Sequence, residues 1–310
     1  MPLMTRSPSW IRQHLAALRA LLVLTVILGI IYPVAIWVVA LIPGLHGSAE
    51  GAMIKGADGK VVGSRIIGQS FTNQDGNALK QYFQSRPSDA GDGYDPTATA
   101  AGNLGPESIV DTLPDPKVVA AGKEDENAST SLLTQVCTRS ADVAKLEGVD
   151  GSRPFCTPGG VGAVLALIGP RDRQGHVTHP TQVVSLNEEC GVVNTPFVAT
   201  YKGVTVQCAK YGEDYTKGEV VPIRGGAPAE PKVPADAVSA SGSGLDPHIS
   251  PAYARLQAPR IAKARGVQEA QVLQAIKDNE DGRVLGFVGA PRVNVLTLNI
   301  ELDKKYPFRG

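Results

Sequence analysis

No Walker A loop is present: neither Gly59-Lys60 nor Gly122-Lys123 is followed by Ser or Thr, so the chain lacks the cradle and hydroxyl that hold a nucleotide phosphate and its magnesium. Also absent is the Asp-Lys-Thr-Gly-Thr loop on which cation pumps form an aspartyl phosphate. No Gly-x-Ser-x-Gly elbow surrounds Ser241 or Ser243, which disfavours a serine hydrolase. An excess of either charge sign is missing too. Lys plus Arg and Asp plus Glu number 30 each, a net charge of zero, which removes the electrostatic basis for a nucleic-acid partner. Aromatic residues make up only 5% beside 34 Gly and 23 Pro, so a modest core with many turns is expected. No residue is assigned a catalytic role.

What is present is one long hydrophobic run. Residues 20–42 carry no formal charge, and a helix of about 20 residues crosses a hydrocarbon core of roughly 30 Å. The run exceeds the apolar region of a cleaved signal peptide, roughly 7 to 15 residues, and it stays apolar on every face, unlike a helix on a soluble core. Arg6, Arg12 and Arg19 precede it, and no Lys or Arg follows until Lys55. This asymmetry places residues 1–19 in the cytoplasm and the domain beyond the span outside. Within the run, Pro33 has no N–H and leaves the carbonyl of Gly29 without its helical partner. Tyr32 brings a hydroxyl to similar depth, and Thr25 with Gly29 forms a small-xxx-small pair. Thr25, Gly29, Tyr32 and Pro33 are therefore the expected contact with a polytopic membrane partner; the alternative is a kink healed by local adjustment of the helix.

The first outer part, 43–124, opens with a Gly- and Ala-rich exit linker over 45–59. Val61, Val62, Ile66 and Ile67 then predict a bulged strand or hairpin edge. Residues 81–103 are turn-dense, with Arg86-Pro87-Ser88, Gly91-Asp92-Gly93 and Asp95-Pro96, and predict a long ordered loop of the kind that is often functional. A charged stretch at 123–126 marks the start of a block, 125–232, with its own boundaries. Leu133, Val136, Cys137, Ala141 and Ala144 recur at helical spacing ahead of Gly148. Short β-branched runs at 161–168, 183–186, 197–200 and 204–208 predict strands, and Pro-rich 225–234 predicts an extended exit. The block reads as an inserted, mostly-β subdomain. In the last part, 233–310, Ser250-Pro251 caps a helix that Pro259 divides into 251–257 and 259–265, ended by Gly266. A further helix covers 268–279, and 293–300 closes the chain as a strand. The fold class is α+β: one transmembrane helix, then an extracytoplasmic domain carrying the inserted block.

All four cysteines, Cys137, Cys156, Cys190 and Cys208, lie beyond the span. An even count in an oxidising compartment reads as two disulfides. Three pairings are possible, of which Cys137 with Cys156 and Cys190 with Cys208 closes two short loops. A metal site is not expected, since there is no C-x-x-C knuckle and no His at a usual spacing from the cysteines. His176-x-x-His179, flanked by Gly175 and Pro180, reads as a polar loop rather than a ligand pair on a helix. Asp246 and His248 stand in a Gly-rich turn. Use of this loop by an anchored extracellular enzyme or binding module competes there with capping of the turn before Ser250-Pro251.

Residues 239–265, followed by Leu285-Gly286-Phe287 and Pro291-Arg292-Val293-Asn294-Val295-Leu296, resemble the C-terminal half of the KdpC subunit of the Kdp potassium-transporting P-type ATPase. Upstream, Gly63-Ser64, Ile67-Gly68-Gln69, Tyr82-Phe83-Gln84-Ser85-Arg86-Pro87-Ser88, Tyr94 and Asn103-Leu104-Gly105-Pro106 are similar, in order, to that family's N-terminal half behind a single span. Where the family carries Ser-Gly-Gly-Ser before Asn-Leu, Ala100-Ala101-Gly102 stands here. The cysteine-bearing block is larger than in most members.

The resemblance implies a small, non-catalytic accessory subunit of an ATP-driven, high-affinity potassium uptake pump in the plasma membrane. Its implied partners are a potassium-translocating, channel-like subunit, an ATP-hydrolysing P-type subunit and the lipid bilayer. It implies support of assembly and stimulation of ATP use, as a catalytic chaperone. Family-motif loops place Arg86, Asn103, Asp246, His248 and Asn294, and Gln257 is carried over as a nucleotide-linked position. ATP and potassium belong to the complex; no cofactor is expected on this chain. A domain on the outer face cannot touch cytoplasmic ATP, so any such effect has to travel through the span as coupling between sites.

Overall fold

The computed structural model describes residues 8–56 and 59–308; Arg6 lies outside the described residues, as do Ala57 and Asp58 of the expected linker. Two compact units divide the chain after residue 66. In the first, α1 (Ser9–Val26), a π-helical turn (Ile27–Ile31) and α2 (Tyr32–Ala40) follow one another as one rod, Ser9–Ala40. The rod is long and apolar enough to cross a membrane. Helix therefore begins well before residue 20 and ends before 42. The longer rod places Trp10 and Trp37, each 61% exposed, about 40 Å apart at 1.5 Å per residue.

Pro33 is accommodated by resetting the ladder. The Tyr32 N–H bonds the carbonyl of Ile27, five residues back instead of four, so the irregular turn falls where proline removes a donor. After the one-turn α3 (His46–Ala49), β1 (Met53–Lys55) pairs antiparallel with β2 (Val61–Ser64), with a register irregularity between Ile54 and Lys55. The hairpin edge at Val61 is thus present. The expected linker, 45–59, supplies its partner strand and is not structureless.

In the second unit the chain from 67 to 115 runs without a helix or a ladder-forming strand, tied by isolated bridges such as Thr72 with Ala78. This includes the long loop expected at 81–103. A short α4 (Pro116–Ala120), capped by Asp115, precedes α5 (Leu132–Glu147). The latter is the expected amphipathic helix: the Ser131 side chain accepts the Thr134 N–H, and Gly148 closes the helix at φ +69.

Five strands follow: β3 (Val164–Ile168), β4 (Gln182–Glu189), β5 (Thr200–Tyr201), β6 (Val204–Ala209) and β7 (Glu219–Pro222), in the order β5-β6-β4-β3-β7. β4 and β6 run parallel and the other pairs antiparallel. Val164 and Ala166 pack with Val184, Leu186, Ala209 and Leu133, whereas Leu165 and Leu167 pack with Val177, Val183 and Val206. Burial on both faces explains the unbroken apolar run of β3. Of the strand expected at 197–200 only Thr200 joins the sheet; Phe197 and Val198 instead cover one of its faces.

The cysteines pair as neighbours. Cys137–Cys156, with Cα atoms 5.4 Å apart, ties α5 to the loop before β3, and Cys190–Cys208, 5.0 Å apart, ties the ends of β4 and β6. Each closes a loop for which chain entropy gives about 3 kcal/mol. Replacing Cys137 and Cys156 together by Ser is expected to lower the urea midpoint of the full chain in detergent by that equivalent. A midpoint equal to that of the parent chain would show that the bond holds nothing the packing does not.

The chain ends in β8 (His248–Ile249), α6 (Pro251–Arg265), α7 (Glu269–Asp278), β9 (Glu280–Asp281), β10 (Arg292–Asn294) and α8 (Val295–Lys305), with β10 between β8 and β9 in an antiparallel sheet. Two expectations are corrected here. Pro259 does not divide α6: it lies on the exposed face, while Tyr253, Ala254, Gln257, Ala258, Ile261 and Ala262 bury the other side and hold the helix through it. Of the strand expected at 293–300, only Val293 and Asn294 are in β10; the rest is helix. Asn294 caps α8 by accepting the Thr297 N–H at 3.1 Å, and buried Val295, Leu298, Asn299 and Leu302 fall at helical spacing.

Candidate assembly site around residues 80–88

Residues 80–88 lie outside any strand ladder, so their backbone polar groups need other partners. Side chains of α6 and α8 supply them. The Asn299 Oδ1 accepts the Phe83 N–H at 2.8 Å and its Nδ2 donates to the Phe83 carbonyl at 3.0 Å. Gln257 does the same for the next residue, accepting the Gln84 N–H at 2.7 Å and donating to its carbonyl at 3.1 Å. The Arg260 Nη1 donates to the carbonyls of Lys80 and Tyr82 at 2.6 and 3.0 Å, and the Arg265 Nε donates to that of Gln81 at 2.8 Å. Gln257 and Arg260 are three residues apart on α6 and so share a face.

Buried charge supports this clamp. Arg260 bonds both Glu147 oxygens at 3.0 and 3.1 Å, and the two side chains are 8% and 1% exposed. Burial pushes the Glu147 carboxyl above its ordinary range, more than the Arg260 charge and hydrogen bond draw it down. Arg265, its side chain fully buried, meets Asp303 at 2.8 Å and lies 5.2 Å from the centre of the Tyr82 ring. The Tyr82 hydroxyl donates to Asp303 at 3.1 Å; burial, and then the Asp303 charge, raise the phenol.

A second hub forms on Asp246. It receives the Arg86 Nη1 at 3.2 Å, the His248 N–H at 3.0 Å and the His248 Nδ1 at 2.9 Å. Burial works to raise the Asp246 carboxyl, but the His248 hydrogen bonds with the His248 and Arg86 charges together hold it below the usual carboxylate value. Arg86 also donates to the carbonyls of Ser239 and Ala240, and the Tyr94 hydroxyl donates to the Arg86 carbonyl. The Ser88 hydroxyl donates to Gly244 at 2.6 Å. Gly244 has φ +70, and a Cβ there would lie 2.6 Å from that of Ala90, so only glycine lets these two loops meet.

Of the expected site residues, Arg86, Asp246, His248 and Gln257 converge on this segment, and Asn294 pairs with His248 across β10 and β8. Asn103 stands apart in an exposed loop at φ +46. Thr25, Gly29, Tyr32 and Pro33 belong to the rod of the other unit. Gln257 is fully buried, with both ends of its amide engaged. Both the backbone and the ring of His248 bond Asp246, whereas the Ser250 N–H and hydroxyl at the start of α6 go to Asp236. His176 pairs with Glu219 at 2.8 Å in an exposed loop. Sequence reasoning missed Asn299, Arg260, Glu147, Arg265 and Asp303. An amide among Leu296, Leu298 and Leu302 would have marked Asn299, had the helical period been recognised.

The model of the family described as "KdpC: K+-transporting ATPase, c chain" matches residues 14–141 and 205–304. The chain belongs to this family. The stretch left unmatched, 142–204, holds β3, β4, β5, Cys156 and Cys190. A KdpC subunit of a potassium-transporting ATPase from Kineococcus radiotolerans is 34% identical over 298 residues, covering 96% of each chain. The subunit so named in Caulobacter sp. strain K31 is 32% identical over 92% of this chain and 90% of its own, and that of Mycobacterium bovis is 32% identical over 94% and 98%. These KdpC relatives extend through the stretch that the family model leaves unmatched.

Proposed function

We propose that this KdpC-family chain is an accessory subunit of an ATP-driven potassium uptake pump, whose ATP hydrolysis lies in another subunit. The observation that carries the reading is the family match combined with an apolar rod, Ser9–Ala40, none of whose most apolar stretch is buried in its own chain. Arg12 and Arg19 at one end of the rod support a cytoplasmic amino end and an outer domain. The partners are a channel-like potassium-translocating subunit and the ATP-hydrolysing P-type subunit, which the rod joins in the bilayer. The chain promotes their assembly and the use of ATP. With Gln257 spent on the Gln84 backbone, the effect on ATP is an allosteric coupling and not a contact with nucleotide. The inserted block, 125–232, braced by two disulfides, shields the surface where potassium enters.

Gly29 offers the test. A Cβ built there meets nothing nearer than the Thr25 Cγ2 at 3.9 Å, an ordinary contact, so a larger residue disturbs a neighbouring helix and not its own. Gly29→Leu is expected to reduce co-extraction of the large subunits about tenfold, the equivalent of 1.4 kcal/mol, while the chain still inserts in membranes. Undiminished co-extraction with both Gly29→Leu and Thr25→Leu would refute the docking face. A domain that external protease cannot reach on intact cells, yet can on inverted vesicles, would refute the topology.

A further inference from the structure

Leu285 breaks two rules at once. It is 81% exposed, and its φ of +53 precedes Gly286 at +81. Consecutive positive-φ positions of a tight turn favour Asn, Asp and Gly, and a bulky side chain is out of place there. Neither burial in its own chain nor turn chemistry accounts for leucine. Its neighbours extend the anomaly: Phe287 is 72% exposed, Val284 62% and Val288 49%.

The backbone of this tip closes on itself. Val284 and Val288 exchange N–H to carbonyl bonds at 3.0 and 2.9 Å, the Gly286 N–H reaches the Arg283 carbonyl at 3.1 Å, and the Phe287 N–H reaches that of Val284 at 3.3 Å. An apolar exterior with an internally bonded backbone meets the two demands of a water-poor medium. Cations stand at its base. Arg283 is exposed and, among the described residues, pairs with no carboxylate. Arg292, its side chain 55% exposed, is only loosely paired with Asp281 at 3.6 Å.

We propose that residues 284–288 insert shallowly into the surface of a lipid bilayer, as a second membrane contact of the chain besides its helix. Bulky apolar groups beyond a basic base fit the boundary between acyl chains and phosphate-bearing headgroups. Lipid is favoured over a protein groove because only residues 41–66 separate the end of the apolar rod from the start of the compact unit. So short a tether keeps the bilayer at high effective concentration. The inference rests on Ser9–Ala40 spanning the membrane and is independent of the pump assignment.

The chain has two tryptophans, Trp10 and Trp37, and quenching of both by brominated lipid in the unaltered full chain tests the span itself. With both replaced by Phe, the Phe287→Trp variant reports the tip alone, and the Val192→Trp variant, altered at another exposed apolar position (76%), serves as control. The full chain is reconstituted alone into phosphatidylcholine–phosphatidylglycerol vesicles carrying bromines near the headgroup end of the acyl chains. Emission from the Phe287→Trp variant is expected to be blue-shifted and quenched, and that from the Val192→Trp variant neither. A solvent-exposed indole in the Phe287→Trp variant, or equal quenching in the control, overturns the proposal. Protection of the tip indole that arises only when the other pump subunits are added overturns it in favour of a protein site. Val284→Trp gives the same readout should Phe287→Trp fail to fold.

Discussion

Arg260→Met is expected to lower the unfolding free energy by about 3–5 kcal/mol, because it leaves the Glu147 carboxylate buried without its counter-charge. The side chains of this pair are 8% and 1% exposed, so water cannot replace the lost partner cheaply. The same change frees the carbonyls of Lys80 and Tyr82 and one bond to the Gln257 Oε1. For a unit of this size the midpoint of thermal unfolding should fall by roughly 10 °C, followed by circular dichroism on the full chain in detergent. The double variant Arg260→Met with Glu147→Leu separates charge from clamp. Removing both ions eliminates the desolvation penalty, so the double variant should recover a large part of the loss, the remainder being the unpaired carbonyls. A single variant that melts with the parent chain would contradict the buried-pair account; a double variant no better than the single would move the whole effect onto the carbonyls.

Asn299→Leu carries the second large effect. Leucine keeps the apolar volume among Leu296, Leu298 and Leu302 but removes both partners of Phe83. Phe83 is itself fully buried, so its N–H and carbonyl would each be stranded at about 1–3 kcal/mol. The expected sum is about 2–6 kcal/mol, accompanied by faster hydrogen exchange at the Phe83 amide. Gln257→Leu should act in the same way on Gln84. Because the two amides grip adjacent residues, the double variant should cost less than the sum, as expected for coupled sites. Full additivity, or an unchanged exchange rate at Phe83, would mean that the segment is held by something other than this clamp.

This clamp also explains how an irregular stretch is held in place. A loop of bare backbone in water would fluctuate. Here residues 80–86 are bonded by two amides and two guanidinium groups drawn from distant parts of the chain, and by the phenol of nearby Tyr94. A loop whose backbone is satisfied by side chains also offers no ladder that another strand could extend.

Much of this was written locally. The charge-free run, the arginines ahead of it, Ser131 and Gly148 at the ends of α5, and Ser250, Pro251 and Gly266 at those of α6 all announce themselves, because helix ends and membrane spans depend on residues within a few positions. An even cysteine count announced two bonds, though not their pairing. Reading 293–300 as a strand failed because β-branched and apolar residues satisfy both periods over so short a run, and only the packing of Leu298 and Leu302 chose between them. Pro259 misled for the converse reason: its local cost is real, but the buried face of α6 outweighs it.

By itself, then, the sequence determined an apolar rod, the ends of α5 and α6 and the family, each of which rests on near neighbours or on ordered motifs. Tertiary structure alone decided which side chains hold residues 80–88. Phe83 and Asn299 are 216 positions apart and Gln84 and Gln257 173, and a hydrogen bond across such a distance leaves no periodicity to read. It exists only once the helices have packed and brought amide and backbone within about 3 Å.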